Sequence, residues 1–460
     1  MKNSLALFVF LFTIHFSFSQ NFESKIDSIV SLNYTQNEPG ISILIAKDGK
    51  PIYKKAFGKS NMELGTSMKS DNVFQIGSIT KQFTAVSILM LEEQGKLKVD
   101  DEIVKYIPDY PTEGNIITIH HLLNHTSGIK NSTPVGKQGA ISKIDMSSTE
   151  LVDYFKNKPL DFIPGSSFKY SNAGYILLGR IIEIVSGQSY EDFIEKNIFK
   201  KIGMLSSNYG STKEIIRNRA SGYQNEQNIF INSDYISLTL PYAAGSILST
   251  VDDLLKWQNA LNSNTLIKKS SLEKAISPTR LSNGKTIPYG YGWRMANLKG
   301  SPVLAHTGST KGFTSVVMFF PKENIYVTAL TNCNCKKAAE MAKKVSTLVL
   351  GKPISGTPPL ESESLSARRK TIIVSSEILK QYTGTYQIKA NVNISIRHQD
   401  NTIFLLAPGQ TKAIELFAES DTNFYVKVSP VEITFNRNQK GEITSLTLNQ
   451  SGRQILANKI

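Results

Sequence analysis

Three observations predict an α+β fold, an antiparallel sheet with a helical insertion followed by a small all-β domain. Alternating strand signals at 41–57 return only at 291–330, so one sheet draws strands from both ends of the domain. The stretch between them is mostly helical in pattern. Beyond residue 370, about eight short alternating segments follow one another, the pattern of a small barrel or sandwich.

The chain opens with a leader. Residues 1–19 read as a signal peptide: Lys2 gives a positive start, Leu5 to Phe18 is largely apolar, and Ser17-Phe18-Ser19 resembles a small-x-small cleavage site. The apolar run is short for a membrane span, and no later stretch is apolar enough to cross one. An exported protein, periplasmic or secreted, is expected. At 460 residues there is material for two or three domains. The net charge of +14 comes without an Arg-rich stripe interleaved with aromatics, so nucleic acid is not an expected partner; a basic exported protein facing an anionic cell surface accounts for it. Cys333 and Cys335 are separated by one residue, and such near neighbours seldom reach relaxed disulfide geometry, so no disulfide is expected.

The elements follow in order. Glu23 to Leu32 is predicted helical. Ile41–Ala46 and Pro51–Phe57 flank Lys47-Asp48-Gly49-Lys50, where Asp-Gly signals a hairpin. A helix opened by Gln75-Ile76-Gly77-Ser78-Ile79-Thr80-Lys81 runs to Gly95, with Ile79, Phe83, Val86 and Met90 marking one buried face. His121–His125 reads as a short helix ending in the turn Thr126-Ser127-Gly128. Further helices are expected at Glu150–Asn157, Ala173–Ser186 (stopped by Gly187) and Tyr190–Phe199. Strands return at Tyr291–Met295, Val303–His306, Phe313–Phe320 and Asn324–Leu330, and Ala338–Leu350 closes the domain as a helix. Residues 351–373, with Pro353, Pro358 and Pro359 and a charged run, read as a linker between a domain at 20–350 and another at 374–460.

Three segments carry chemistry. Ser78-x-x-Lys81 places a hydroxyl and an amine on one helix face. A lysine kept neutral by desolvation and nearby cations can take a serine's proton, and a helix N-terminus favours an oxyanion. Tyr170-Ser171-Asn172 lies in a loop before a helix; a tyrosine with its pKa lowered by cations can shuttle that proton, and Asn172 can donate to a substrate carbonyl. Ala305-His306-Thr307-Gly308-Ser309 ends a predicted strand, with Gly308 giving substrate backbone room and the Ser309 N–H facing the same oxyanion as that of Ser78. The His121/His125 pair lacks the accompanying Glu of a zinc protease, so no metal is expected. Phosphate loops and dinucleotide fingerprints are absent, so no cofactor is expected.

In this order, these motifs resemble those of the serine β-lactamase and penicillin-binding-protein superfamily, in its class C-like, S12 peptidase branch. The similarity spans roughly Pro39 to Leu350 and includes Leu122–Gly128, Phe162–Gly165, Gly245–Leu254 and Tyr289–Trp293. The resemblance implies an antiparallel sheet flanked by helices, with the site where it meets a helical subdomain. Ser78 would be the acylated nucleophile and Lys81 with Tyr170 the proton-handling pair. Asn172, His306, Thr307, Gly308 and Ser309 would bind substrate, and the N–H groups of Ser78 and Ser309 would form the oxyanion hole. The tail resembles the lipocalin-like barrels appended to such hydrolases.

The family's well-known β-lactamases have lysine where this chain has His306, and histidine there is common among its peptidases and esterases. The implied activity is therefore acyl-enzyme hydrolysis of D-amino-acid peptides or small esters. The alternatives are a class C-like β-lactamase and a penicillin or peptidoglycan sensor that does not turn over. The implied partners are a small peptide, ester or β-lactam substrate and peptidoglycan, with a homo-oligomer left open.

Overall fold

The computed structural model describes residues 22–134, 139–211, 213–351, 371–389, 392–406, 413–426, 431–450 and 453–460. The expected leader and most of the expected linker lie outside these residues. The chain divides into two compact units, at 1–355 and 356–460.

In the first unit a helix over 22–31 (α1) precedes the hairpin β1 (Ile41–Lys47) and β2 (Lys50–Phe57). The later strands are β3 (Arg294–Leu298), β4 (Ser301–Thr310), β5 (Phe313–Phe320) and β6 (Ile325–Thr331). They assemble in the order β3-β4-β5-β6-β1-β2, all antiparallel, so β1 closes on β6 through Ile41↔Thr331 to Lys47↔Ile325. The early and late strands thus share one six-stranded sheet. Residues of β1 and β6 are buried along almost their whole length, because both faces of the sheet are covered. Ile43, Ile45 and Val327 belong to a core with Val30 of α1 and with Met341 and Val345 of the helix Ala338–Val349. Leu44, Ala46, Tyr326 and Leu330 join the larger core of the helical subdomain.

The helix after Ser78 departs from expectation. A 3-10 turn, Gly77–Ile79, leads into α2 (Thr80–Glu93), and every residue from Thr80 to Leu91 is buried. The predicted apolar stripe is therefore only part of a helix enclosed on all sides. Its polar side tolerates burial because the hydroxyls find acceptors: Thr84 donates to the Ala243 carbonyl (2.6 Å) and Ser87 to that of Phe83 (2.8 Å). Phe83 stacks on Trp257 with ring centroids 4.0 Å apart.

Other boundaries also move. α3 spans Ile119–Leu123, so His125 lies beyond it with φ +63° rather than within it. α4 is Ser148–Phe155 with a Ser147/Glu150 capping box, and α5 is Asn172–Ser186, ended by Gly187. The helix predicted over Tyr190–Phe199 is α-helical only to Ile194 and continues as a π-turn over Glu195–Phe199. The first late strand begins at Arg294, not Tyr291, and β4 runs on to Thr310, so the histidine motif lies inside a strand rather than at its end.

Cys333 and Cys335 are joined in a disulfide, contrary to expectation. The backbone turns after β6 and brings their Cα atoms to 5.1 Å, within the usual range for a bridge.

The second unit begins with a short helix, Ser376–Gln381, which the sequence pattern did not announce. Eight strands follow, from Gly384–Lys389 to Arg453–Lys459, each paired with the next. Pairing of the first with the last (Tyr386↔Lys459) closes the barrel. This decides between barrel and sandwich, and the next-neighbour order is the up-and-down topology of lipocalins. Its interior holds Tyr382 stacked on Phe435 at 4.2 Å, with Tyr386, Ile396, Leu405 and Leu446.

Candidate active site

The site begins with how the serine turn is pinned to the sheet. Gly77 has φ +51°, a left-handed conformation costly for a residue with a Cβ. That bend sets Ser78 at the head of α2 beside the backbone of Ser309. Gly308 is needed for a reason other than substrate access. A Cβ there would sit 1.9 Å from the Ile76 carbonyl oxygen and 2.4 Å from Ser315 Oγ, which itself donates to that carbonyl at 2.7 Å. The missing side chain lets β4 lie against the protein's own serine turn.

Lys81 is fully buried one turn further on. Its Nζ lies 3.2 Å from Ser78 Oγ, 2.8 Å from Asn172 Oδ1 and 2.8 Å from the Ala244 carbonyl. Burial, and then the positive charge of Arg294, hold its pKa well below the ordinary lysine value. In its neutral form Lys81 has two N–H bonds to donate, to Asn172 and Ala244, which accept only. Its lone pair is then left facing the Ser78 hydroxyl. Asn172, the first residue of α5, is held in turn by its backbone N–H, which donates to Asn131 Oδ1 at 2.9 Å.

The Tyr170 ring lies under this amine, with Lys81 Nζ 4.8 Å from its centroid. Its hydroxyl is buried and finds no hydrogen-bond partner of good geometry. Burial dominates its titration and raises the pKa, with the Ser78 hydroxyl and Arg294 only partly opposing. The expected lowering is therefore reversed. Cations are present, but desolvation outweighs them and Tyr170 stays a neutral phenol.

His306 is likewise not a cation. Its Nδ1 lies 2.8 Å from the Thr307 carbonyl, which only accepts, so Nδ1 carries the proton and Nε2 accepts. Tyr289 Oη, 3.1 Å from that Nε2, donates to it and is itself 3.1 Å from His125 Nε2. The Ser171 N–H donates to His125 Nδ1 at 3.2 Å, which leaves the His125 proton on Nε2. The run Ser171, His125, Tyr289, His306, Thr307 is thus satisfied with both imidazoles neutral. Burial, with Lys81 and Arg294 next, lowers the His306 pKa to about 3.

A permanent cation beside His306 is Arg294, which faces Ala305 across β3 and β4. Its guanidinium lies 5.8 Å from the Tyr170 ring centroid and 5.3 Å from that of Tyr289. It is exposed and has no carboxylate partner among the described residues. Sequence reasoning missed Arg294, Tyr289 and His125. Arg294 directly follows the family phrase Tyr289–Trp293, but only strand pairing brings it beside the histidine motif. His121 and His125 do not act as a pair, because the chain turns out of the helix between them.

A cavity of about 250 Å³ opens over Ser78, lined among others by Gly77, Asn172, Ala244, Ser309 and Asn334, the residue between the two cysteines. Of the predicted residues, Ser78, Lys81, Tyr170, Asn172, His306 and Ser309 therefore converge. Thr307 is exposed on the opposite side of β4 from His306, contributes its carbonyl to that imidazole, and does not line the cavity.

A serine turn with a buried lysine, on an antiparallel sheet joined to a helical subdomain, defines the serine hydrolases of the β-lactamase and penicillin-binding-protein superfamily. Residues 19–348 match the family described as Beta-lactamase, and the chain belongs to it. Residues 368–457 match a domain of unknown function, DUF3471. The chain is 30% identical to penicillin-binding protein 4* of Bacillus subtilis, over 86% of this chain and 89% of that one. It is 28% identical to the human mitochondrial serine beta-lactamase-like protein LACTB, over 66% of this chain and 73% of the relative. Among solved structures, the octameric penicillin-binding protein homologue from Pyrococcus abyssi aligns with a TM-score of 0.67 and 26% identity, covering 95% of this chain and 99% of that one. The D-amino acid amidase from Ochrobactrum anthropi SV3 aligns with a TM-score of 0.59 and 25% identity, covering 70% and 98%.

Proposed function

We propose that this is an exported serine hydrolase that cleaves amide or ester bonds through an acyl-enzyme on Ser78. Its first substrates to consider are peptides containing D-amino acids and small esters. The observation that carries the reading is the buried Lys81 amine, 3.2 Å from Ser78 Oγ with its other two partners both acceptors. A serine hydroxyl needs a base, and a buried amine whose pKa is lowered by burial and by Arg294 suits that role.

In the proposed sequence, Lys81 takes the Ser78 proton as Oγ attacks the carbonyl. The backbone N–H groups of Ser78 and Ser309 hold the oxyanion. Tyr170, protonated because it is buried, gives a proton to the leaving nitrogen or oxygen and regains one from Lys81. Water then reverses the sequence to release the acid. Asn172 orients both Lys81 and the substrate. His306, held by the Thr307 carbonyl, stands on the leaving-group side, and Arg294 supplies the charge that lysine supplies in the family's β-lactamases.

The D-amino acid amidase and the penicillin-binding protein among the relatives support amides of D-residues as the class to test. The panel is D-Ala-terminated peptides, D-amino amides, p-nitrophenyl esters and nitrocefin, with Ser78→Ala as the blank. Turnover by Ser78→Ala equal to wild type refutes the reading. Nitrocefin turned over faster than every ester and peptide favours the β-lactamase alternative. Stable labelling of Ser78 by a fluorescent penicillin without release favours a sensor. Residues 351–373 are proposed to link the hydrolase domain to the barrel. The octameric homologue makes a homo-oligomer the assembly to look for, by light scattering of the full chain.

A further inference from the structure

A second cavity, of about 370 Å³, adjoins the one over Ser78 and shares Ile236 and Lys311 with it. Its wall includes Gln75, Arg219, Asp234, Tyr235 and Phe313. Two of these side chains have unmet needs. Gln75, three residues before the serine, is only 9% exposed, and its Oε1 has no hydrogen-bond partner. A buried carbonyl oxygen without a donor is uncommon and asks for one from outside the fold. Arg219 is partly buried, and its one hydrogen bond goes to the Ser211 carbonyl at 3.2 Å. No carboxylate pairs with it among the described residues. Lys311, by contrast, is already paired with Asp234 at 3.0 Å.

The cavity's place along β4 gives its orientation relative to the scissile bond. From His306 in mid-strand, with Arg294 on the neighbouring strand, β4 runs to Ser309 beside Ser78 near its end, and then to Lys311 at the turn that borders the second cavity. Five residue steps lead from His306 to Lys311, on the order of 16 Å. A substrate laid along this edge, with its carbonyl at Ser78 and its leaving group toward Arg294, extends its acyl side into the second cavity.

We infer that this cavity is a subsite for the acyl side of the substrate and selects a side chain ending in a carboxylate. Arg219 receives the carboxylate, and Gln75, whose Oε1 is sealed in this structure, accepts an N–H from the adjoining peptide group once its amide turns toward the cavity. The inference rests on Ser78 being the nucleophile and adds a substrate class to that reading: peptides with an acidic residue preceding the one whose carbonyl is attacked.

The test uses two p-nitrophenyl esters, acetyl-Glu-D-Ala and acetyl-Gln-D-Ala, which differ by one charge at that position. Wild type is expected to favour the Glu ester in kcat/KM by about tenfold, the lower end for a charge-assisted hydrogen bond. Arg219→Gln should abolish the preference by lowering kcat/KM for the Glu ester to that for the Gln ester, and Arg219→Lys should keep part of it. Binding of the two free acids to Ser78→Ala, followed by calorimetry, reads the same preference without turnover and is expected to show the same ratio. Equal rates for the two esters, or a preference that survives in Arg219→Gln, overturns the subsite, as does equal binding of the two acids. Ser78-dependent hydrolysis with no Glu preference sinks the subsite alone. Hydrolysis that persists in Ser78→Ala sinks the nucleophile assignment instead.

Discussion

The hydroxyl of Tyr289 lies 3.1 Å from Nε2 of His306 and, on its other side, 3.1 Å from Nε2 of His125. It donates to one imidazole and accepts from the other, so a single phenol fixes the tautomers of both. Tyr289→Phe removes it and leaves a buried N–H and a buried ring nitrogen without partners. The expected cost is about 1–3 kcal/mol of stability, read from urea unfolding at pH 7.5. An unchanged midpoint would show that the two rings do not depend on the bridge.

Neutral buried imidazoles also fix the sign of the acid response. His306 is lowered to about 3 and His121 to about 4, both chiefly by burial, from an ordinary value of 6.5. The unfolded chain therefore binds more protons than the folded one between these values, and stability is lost as pH falls from about 6.5 toward 3. Melting temperatures should be flat above pH 7 and decline below 6.5. His306→Asn should shallow that decline. A decline of the same slope in the variant would place its origin elsewhere.

Lys81→Arg puts a permanent cation in place of the amine and removes the ability to accept a proton near neutrality. The acylation rate with an activated ester should fall on the order of 10²- to 10⁴-fold, the usual contribution of a positioned base. In the wild-type protein the rate should decline on the acid side as Lys81 becomes protonated, with the midpoint well below the ordinary lysine value. Activity that rises only above pH 10 would contradict a neutral resting amine.

Arg294 acts on the site at a distance as well as by contact. Its charge depresses the Lys81 pKa, so Arg294→Gln should move the acid limb of the rate profile to higher pH. The same variant should raise KM for peptides ending in a free carboxylate while leaving D-amino amides nearly unaffected. Equal effects on both substrate types would indicate general damage rather than lost charge recognition.

Gly308→Ala drives a methyl group into the Ile76 carbonyl. Separation of β4 from the serine turn should cost about 3 kcal/mol, the upper end for overpacking, and should displace Ser309 from Ser78. Stability from urea titration and acylation by a fluorescent penicillin should fall together. A stable variant with full acylation would mean that the two backbones need not touch.

Much of the architecture was legible in residue order alone. Alternation at 41–57 and 291–330 around a helical middle specified one sheet from two ends, since strand periodicity is local and survives in sequence. Ser78-x-x-Lys81, Tyr170-x-Asn172 and His306-Thr307-Gly308 were legible because short spacings and neighbouring turns fix which residues a segment presents. What the residues become chemically was decided only by packing. Desolvation raises the Tyr170 pKa where nearby cations alone would lower it, and it lowers that of Lys81 and leaves His306 a neutral link. Strand pairing, which joins residues far apart in the chain, put Arg294 beside the motif and Gly308 against Ile76. The sequence determines which groups are available, and burial and register determine their charge and their partners, because both depend on neighbours that no local pattern names.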